Sequence, residues 1–326
     1  MTSIGYALSS EEHPPRDLVQ HAVLAEQHGF GFALISDHFH PWIDRQGQSP
    51  FVWGVLGAIA NATERISLGT GVTCPLLRIH PAIIAQAAAT TAALMPQRFF
   101  LGVGTGENLN EHILGQRWPE WEVRAEMLDE AVAVIRAMWT GDVTSHHGRH
   151  YTVENARLYT LPDEPPPVYV AASASRAAEL AAKIGDGLVG TTPEAGVIES
   201  YRRAGGDGPR FGQVTVCWAE TQKAARATAF DRWPNVAIRG TASQELPNPA
   251  DFMALAEMVE EGDVAAVLPC GPDPAPILDS IEAYVDAGYD HVYIHQVGPD
   301  QAGFLEFAAK ELLPHFERTP AAVARG

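Results

Sequence analysis

Short apolar runs alternate with longer amphipathic stretches along most of the chain. The segments 4–8, 30–35, 66–70, 99–103, 168–172, 187–190, 214–218 and 291–295 read as strands. Between them the spacing turns helical. Leu18, Ala22 and Ala25 set a helix from about Arg16, and Gly29 ends it. An alanine-rich helix covers 81–94, a longer one 121–139, and a short one 176–184. Ile277, Ile281, Tyr284 and Val285 mark a helix before the last strand, and Phe304, Phe307, Ala308 and Leu312 a closing one. Strand and helix in strict succession predict an α/β fold, a (β/α)8 TIM barrel with insertion segments, as one domain over 1–326. A doubly wound open sheet would carry a glycine-rich phosphate loop after its first strand, and none is present. Two segments break the alternation: 145–167, histidine-rich then proline-rich, and 233–261, helical with turns at Pro247 and Pro249. Such excursions commonly shape the pocket of a barrel.

Composition narrows the partners. At 326 residues and 46% apolar content the chain can bury a full core. A net charge of −18 argues against nucleic acid or an anionic membrane surface, both of which reward Lys and Arg. No apolar stretch approaches the ~20 residues of a membrane span, and the amino terminus has neither a basic nor an apolar leader region. Cys74, Cys217 and Cys270 are odd in number and far apart, which fits reduced thiols and a cytoplasmic location. A small-molecule substrate is the expected partner.

In a barrel the chemistry gathers where strands end. Ser36-Asp37-His38-Phe39-His40-Pro41-Trp42 follows the second strand and brings an acid, two imidazoles and an indole together. His38 suits a general base near neutral pH, its alternative being a structural histidine at a strand end. His38 and His40 are also spaced as a metal pair on a strand, but Pro41 takes the chain out of the strand and only His295 stands at a late strand end, so no metal is expected. Glu11-Glu12-His13 after the first strand reads either as a solvated acidic loop or as a carboxylate facing the mouth. Gly69-Thr70-Gly71-Val72-Thr73-Cys74-Pro75, at the end of the third strand, could seat a flat ligand against the backbone, or be a tight turn. After the fourth strand, Glu107 on a glycine-rich loop beside Gly106 is a candidate acid, and Asn110 could bond a heterocycle. Ala172-Ser173-Ala174-Ser175-Arg176 enters a helix where backbone amides attract anions, unless it is a plain serine cap.

Taken in order, 36–42, Ile79-His80-Pro81-Ala82-Ile83-Ile84-Ala85-Gln86, Arg98-Phe99-Phe100-Leu101-Gly102-Val103-Gly104-Thr105-Gly106-Glu107 and Gly185-Asp186-Gly187 resemble the luciferase-like oxidoreductases, and within them the group of glucose-6-phosphate dehydrogenases that uses the deazaflavin coenzyme F420. The resemblance spans nearly the whole chain. It implies coenzyme F420 as cofactor, a homodimer, and hydride transfer at a CH–OH carbon. His38 would be the base, Glu107 would manage the ring proton, and Trp42 would shape the site. Asp37 would contact the ring system, Asn110 and Ala172-Ser173-Ala174 the rest of the cofactor, and Glu11 would line the pocket. A non-proline cis peptide would fall at Gly71–Val72. At the sugar-phosphate end the chain departs from the pattern. Thr191 matches, but Glu194 replaces the expected lysine, and no Lys or Arg occurs between Arg239 and Lys310. An unphosphorylated alcohol or hemiacetal is therefore expected, with glucose-6-phosphate as the alternative. A monooxygenase using flavin mononucleotide and a non-catalytic deazaflavin-binding protein are the remaining readings.

Overall fold

The computed structural model describes residues 2–238 and 240–317. Its strands are β1 (Ser3–Leu8), β2 (Phe32–Ile35), β3 (Ser67–Thr70), β4 (Phe99–Val103), β5 (Thr144–His147), β6 (Thr152–Ala156), β7 (Val168–Ala171), β8 (Gly187–Gly190), β9 (Arg210–Val216) and β10 (His291–Gln296). Eight of them close a parallel barrel in the order β1-β10-β9-β8-β7-β4-β3-β2. The register runs Tyr6 with Ala33, Leu34 with Gly69, and Val292 with Gly212. The barrel strands are short and nearly continuous in apolar residues because both faces are covered. Phe32, Leu34, Phe100, Val189, Phe211 and Tyr293 fill the interior, while the opposite strand faces pack on the helices in a second, larger core.

The alternation read from the pattern is the one observed, with three additions. Val52–Ala62, Ala195–Arg203 and Gln222–Arg232 are helices that complete the strand–helix units. The seventh barrel strand begins earlier than the apolar run, at Arg210, which pairs with Leu188 of β8; Gly212 within it sits under the Tyr284 ring, where a Cβ would lie 2.3 Å from a ring carbon. Gly29 does terminate the first helix, Pro15–Gln27, with φ of 91°.

Both excursions exist. The first holds the antiparallel β5–β6 hairpin, followed by the proline-rich segment 161–167. That segment crosses the amino-terminal end of the barrel and, with Phe32, Tyr169, Phe211 and His291, lines a cavity of about 850 Å³. The second contains Ala242–Glu245, Pro249–Ala256 and Glu261–Val267, and so runs past its expected end. It lies over the carboxy-terminal mouth: Phe252 meets Trp42, and Trp233 meets His295. No helix among the described residues is long and apolar enough to cross a membrane.

Candidate active site

Four loops at the carboxy-terminal ends of β1 to β4 converge on one polar cluster. Glu11, 3% exposed, follows β1. Its Oε2 accepts from Ser36 Oγ at 2.6 Å and Ser9 Oγ at 3.1 Å, and its Oε1 lies 3.3 Å from His38 Nε2. Burial pushes the Glu11 carboxyl up, but His38, the Ser36 hydroxyl, its own backbone N–H and the more distant His295 outweigh that and hold it below its ordinary value. His38 Nδ1 lies 3.2 Å from the His40 carbonyl, an acceptor only, so Nδ1 carries the hydrogen and Nε2 is left as the nitrogen that binds or releases a proton. The Trp42 ring packs edge-on to His38 at 5.1 Å. The pair is a buried carboxylate and an imidazole of fixed tautomer, the arrangement a general base needs.

A second set of contacts fixes that loop from beneath. Asp37 Oδ2 accepts from Thr73 Oγ1 at 2.6 Å, and Oδ1 from Arg78 Nη2 at 2.9 Å. Arg78 Nε reaches Glu111 Oε1 at 3.4 Å, and Glu111 Oε2 accepts the backbone amides of Leu77 and Arg78 at 3.2 and 2.8 Å. Burial opposes the charge on Arg78, yet Asp37 and Glu111 raise its pKa; Glu111 itself is raised by burial despite those amides and Arg78. Asn110 Oδ1 accepts the amides of Phe39 at 2.9 Å and His40 at 3.2 Å, and its Nδ2 is 3.4 Å from Glu107 Oε2. His40 Nδ1 binds the Leu109 carbonyl at 2.8 Å. The Asp37 carboxylate and the Asn110 amide, expected to touch a ligand, are thus engaged in tying the loops after β2, β3 and β4 together. His38 and His40 do not converge as a metal pair, and no group of three or more His, Cys, Asp or Glu among the described residues could hold a metal ion.

The Gly71–Val72 peptide is cis, at the end of β3. Gly104 packs against Val72, where a Cβ would stand 2.7 Å from Val72 Cγ2. Gly106, with φ of 71°, faces Cys74, whose Sγ would be 2.5 Å from a Cβ, so only glycine fits and Glu107 is delivered to the mouth half-buried. Farther round, Ala172 is buried and Ser173, Ala174 and Arg176 are exposed. The helix Ser175–Ile184 has no side-chain cap, leaving its first amides open. Arg176 is turned to Glu122 at 2.8 Å and over the Trp121 ring rather than to that terminus. Thr191 and Glu194 are exposed beyond β8, with Glu194 at the start of Ala195–Arg203. Burial, with Glu194 nearby, pushes Tyr289 up to about 12. His146, His147 and His150 sit by the β5–β6 hairpin against Glu130, Glu154 and Glu126, away from the cluster.

The chain matches the family of luciferase-like monooxygenases over residues 1–291. It belongs to the luciferase-like family. Among curated relatives of this luciferase-like barrel, an F420-dependent glucose-6-phosphate dehydrogenase of Beutenbergia cavernae is 36% identical over 326 residues, covering 96% of this chain and 97% of that one. One of the same name from Intrasporangium calvum is 36% identical over 330 residues, covering 96% and 98%. Of solved structures, an F420-dependent secondary alcohol dehydrogenase in complex with an F420–acetone adduct superposes with a TM-score of 0.87 at 28% identity, covering 95% of this chain and 98% of that one. A tetrahydromethanopterin reductase from Methanopyrus kandleri, with a TM-score of 0.78 at 21% identity over 97% and 99%, shares the luciferase-like fold.

Ser36, Thr73 and Glu111 lie within the candidate stretches of this luciferase-like site but were given no role of their own, and Arg78 lies outside all of them. Arg78 left one trace: it is a lone cation in the apolar loop Pro75-Leu76-Leu77-Arg78-Ile79, where a buried charge needs a carboxylate.

Proposed function

We propose that the protein moves a hydride between the carbinol carbon of an unphosphorylated alcohol, or a hemiacetal, and coenzyme F420, or runs the reverse carbonyl reduction. It is a coenzyme F420-dependent oxidoreductase acting on CH–OH, as its curated relatives and the secondary alcohol dehydrogenase are named. The observation that carries the chemistry is the buried Glu11–His38 pair at the mouth of the barrel.

The residues present fit the cofactor. The cis Gly71–Val72 backbone, packed close by Gly104, offers a flat seat, and the uncapped amides of Ser175–Ile184 suit a phosphodiester. When bound, the deazaflavin supplies the carbon that accepts or gives the hydride. His38, through Nε2, takes the substrate's hydroxyl proton while Nδ1–H stays on the His40 carbonyl. The Glu11 carboxylate stabilises the imidazolium that results. Glu107 holds the proton exchanged at the ring, and Trp42, backed by Phe252, limits water beside His38.

The substrate class rests on charge. Glu194 stands where a phosphate would need a cation, and the mouth-covering excursion draws on a stretch with no Lys or Arg from Gly240 to Ala309. A dianionic sugar phosphate would meet a carboxylate there. The second reading, glucose-6-phosphate oxidation, is favoured by the names of the curated relatives. Titrating F420 against flavin mononucleotide, then following an alcohol panel at the deazaflavin absorbance, tests both. A large kcat/KM preference for glucose-6-phosphate over neutral alcohols would overturn the substrate class. His38→Ala should abolish turnover and leave F420 affinity nearly unchanged; loss of affinity would instead assign His38 to cofactor binding.

A homodimer and a cytoplasmic location belong to the same reading. The adjoining helices Val52–Ala62 and Pro81–Leu94 carry no charged residue and expose Gly54, Ala58, Ile83 and Leu94 beside Phe51. In a chain of net charge −18, such a face can meet its own copy without bringing carboxylates together. The three cysteines are free, as suits a reducing compartment.

A further inference from the structure

Ser36 continues the ladder of β2 by one residue, its amide donating to the Leu8 carbonyl of β1 at 3.2 Å. Ser10, fully buried in the loop after β1, clasps it twice. The Ser10 amide donates to Ser36 Oγ at 2.9 Å, and Ser10 Oγ donates to the Ser36 carbonyl at 2.7 Å. A hydroxyl has one hydrogen to give. Ser36 Oγ faces two acceptors, Glu11 Oε2 at 2.6 Å and the Leu8 carbonyl at 3.4 Å, so the nearer carboxylate receives it. Ser9 Oγ adds a second donor to the same oxygen at 3.1 Å. Both hydroxyls therefore sit on Oε2, and Oε1 is the oxygen that meets His38 Nε2 at 3.3 Å.

We propose that Ser36 is a positioning residue for the base: its hydroxyl, with that of Ser9, fixes the Glu11 carboxylate so that Oε1 faces His38. The proposal rests on the reaction assigned above. A long carboxylate side chain can turn and present either oxygen, and two donors on one oxygen remove that freedom. The fixing hydroxyl stands on the barrel ladder, two residues before His38 in the same chain, so one rigid point holds both members of the pair. The bond also has a direction in the reaction. Before His38 takes a proton, no imidazolium compensates the Glu11 charge, and the Ser36 donor is then at its strongest. It therefore favours the form of the pair that accepts a proton. Against burial, which raises the Glu11 carboxyl, His38 and then the Ser36 hydroxyl lower it, in agreement with this geometry. The other titratable groups packed around Glu11 are engaged elsewhere. Glu12 is turned to His295 Nε2 at 3.2 Å, and Asp37 to Thr73 Oγ1 at 2.6 Å and Arg78 Nη2 at 2.9 Å.

The test uses two readouts. In the cofactor-free full chain, the protonation of His38 is followed by 15N NMR across pH. In the holoenzyme, kcat and KM for a neutral alcohol are followed over the acid limb, which reports the His38–Glu11 pair titrating as a unit. Ser36→Ala removes the shorter donor. Both curves should move to higher pH by about half a unit to one unit, about a three- to tenfold loss of kcat/KM on that limb at fixed pH, carried by kcat with KM little changed. Ser36→Thr keeps the donor and should return both curves to the parent position. Ser9→Ala removes the longer donor and should move them the same way by less. Ser10→Ala breaks the bond to the Ser36 carbonyl but leaves its amide on Ser36 Oγ and does not touch Glu11, so it should leave the curves unmoved even if stability falls. Unmoved curves in Ser36→Ala, or in Ser9→Ala should Ser36→Ala fail to fold, overturn the proposal. So does a shift of equal size in Ser10→Ala or Ser36→Thr. Failure of the assigned reaction is seen separately: no alcohol is turned over at any pH, while the His38 titration of the cofactor-free chain still reports whether Ser36 acts on the pair.

Discussion

Arg78→Met removes the one cation between two buried carboxylates. The side chains of Asp37 and Glu111 are both fully buried, and Arg78 is 6% exposed. Without the guanidinium, Asp37 keeps only Thr73, and Glu111 keeps only the amides of Leu77 and Arg78. Breaking a buried pair from one side costs about 3–5 kcal/mol, because the partner charge remains in a dry site. An unfolding entropy of about 2.1 cal/mol/K per residue over 326 residues turns this into a fall of about 4–7 °C in Tm. The sign of the pH dependence follows from the same charges. Burial already raises the Glu111 carboxyl and Arg78 opposes that rise, so in the variant protonation of Glu111 stabilises the fold at low pH and that contribution is lost as pH rises through its folded value. The deficit should therefore be largest near about pH 8 and shrink toward about pH 5. Arg78→Lys keeps the charge, gives up the forked contact to both acids, and should lose about half as much. Melting curves by circular dichroism across that range measure it. A deficit under about 1 kcal/mol, or one equal at every pH, would refute the view that Arg78 neutralises the buried acids beneath the His38 loop.

Glu107→Gln should lower turnover by about 10²–10⁴-fold with little change in F420 affinity, checked by steady-state rates beside a binding titration; unaltered rates would remove Glu107 from proton handling. Glu194→Lys should raise kcat/KM for glucose-6-phosphate relative to a neutral alcohol by about tenfold, and no change in that ratio would take Glu194 out of substrate selection. If the proposed homodimer forms through the uncharged helix face, Ala58→Glu places a carboxylate on it and should lower the mass seen by light scattering after size exclusion from that of two chains to that of one; a mass unchanged by the substitution would overturn this face as the contact.

The barrel strands were legible because burial on both faces leaves runs such as Phe99-Phe100-Leu101-Gly102-Val103 with no competing pattern. Val52–Ala62 was not, because Val-Trp-Gly-Val-Leu-Gly-Ala-Ile-Ala-Asn-Ala has no charged face to make its helical period visible. In the site, the residues marked from sequence are those that stand just past a strand end: His38 and Trp42 after β2, Glu107 after β4, Glu11 after β1. The cis bond at Gly71–Val72 was implied by family likeness and is present.

What the sequence by itself determined is the α/β alternation, the strand ends that carry polar residues, and the absence of cations from Gly240 to Ala309. These are properties of composition and local order, and need no knowledge of what lies across the mouth. The tertiary structure decided the partners. Asp37 is held by Arg78 and Thr73, Asn110 clamps the amides of Phe39 and His40, and Glu11 and Glu12 divide between His38 and His295. Each of these contacts joins groups from different loops, and the folding of the strands into one barrel brings those loops within hydrogen-bond distance.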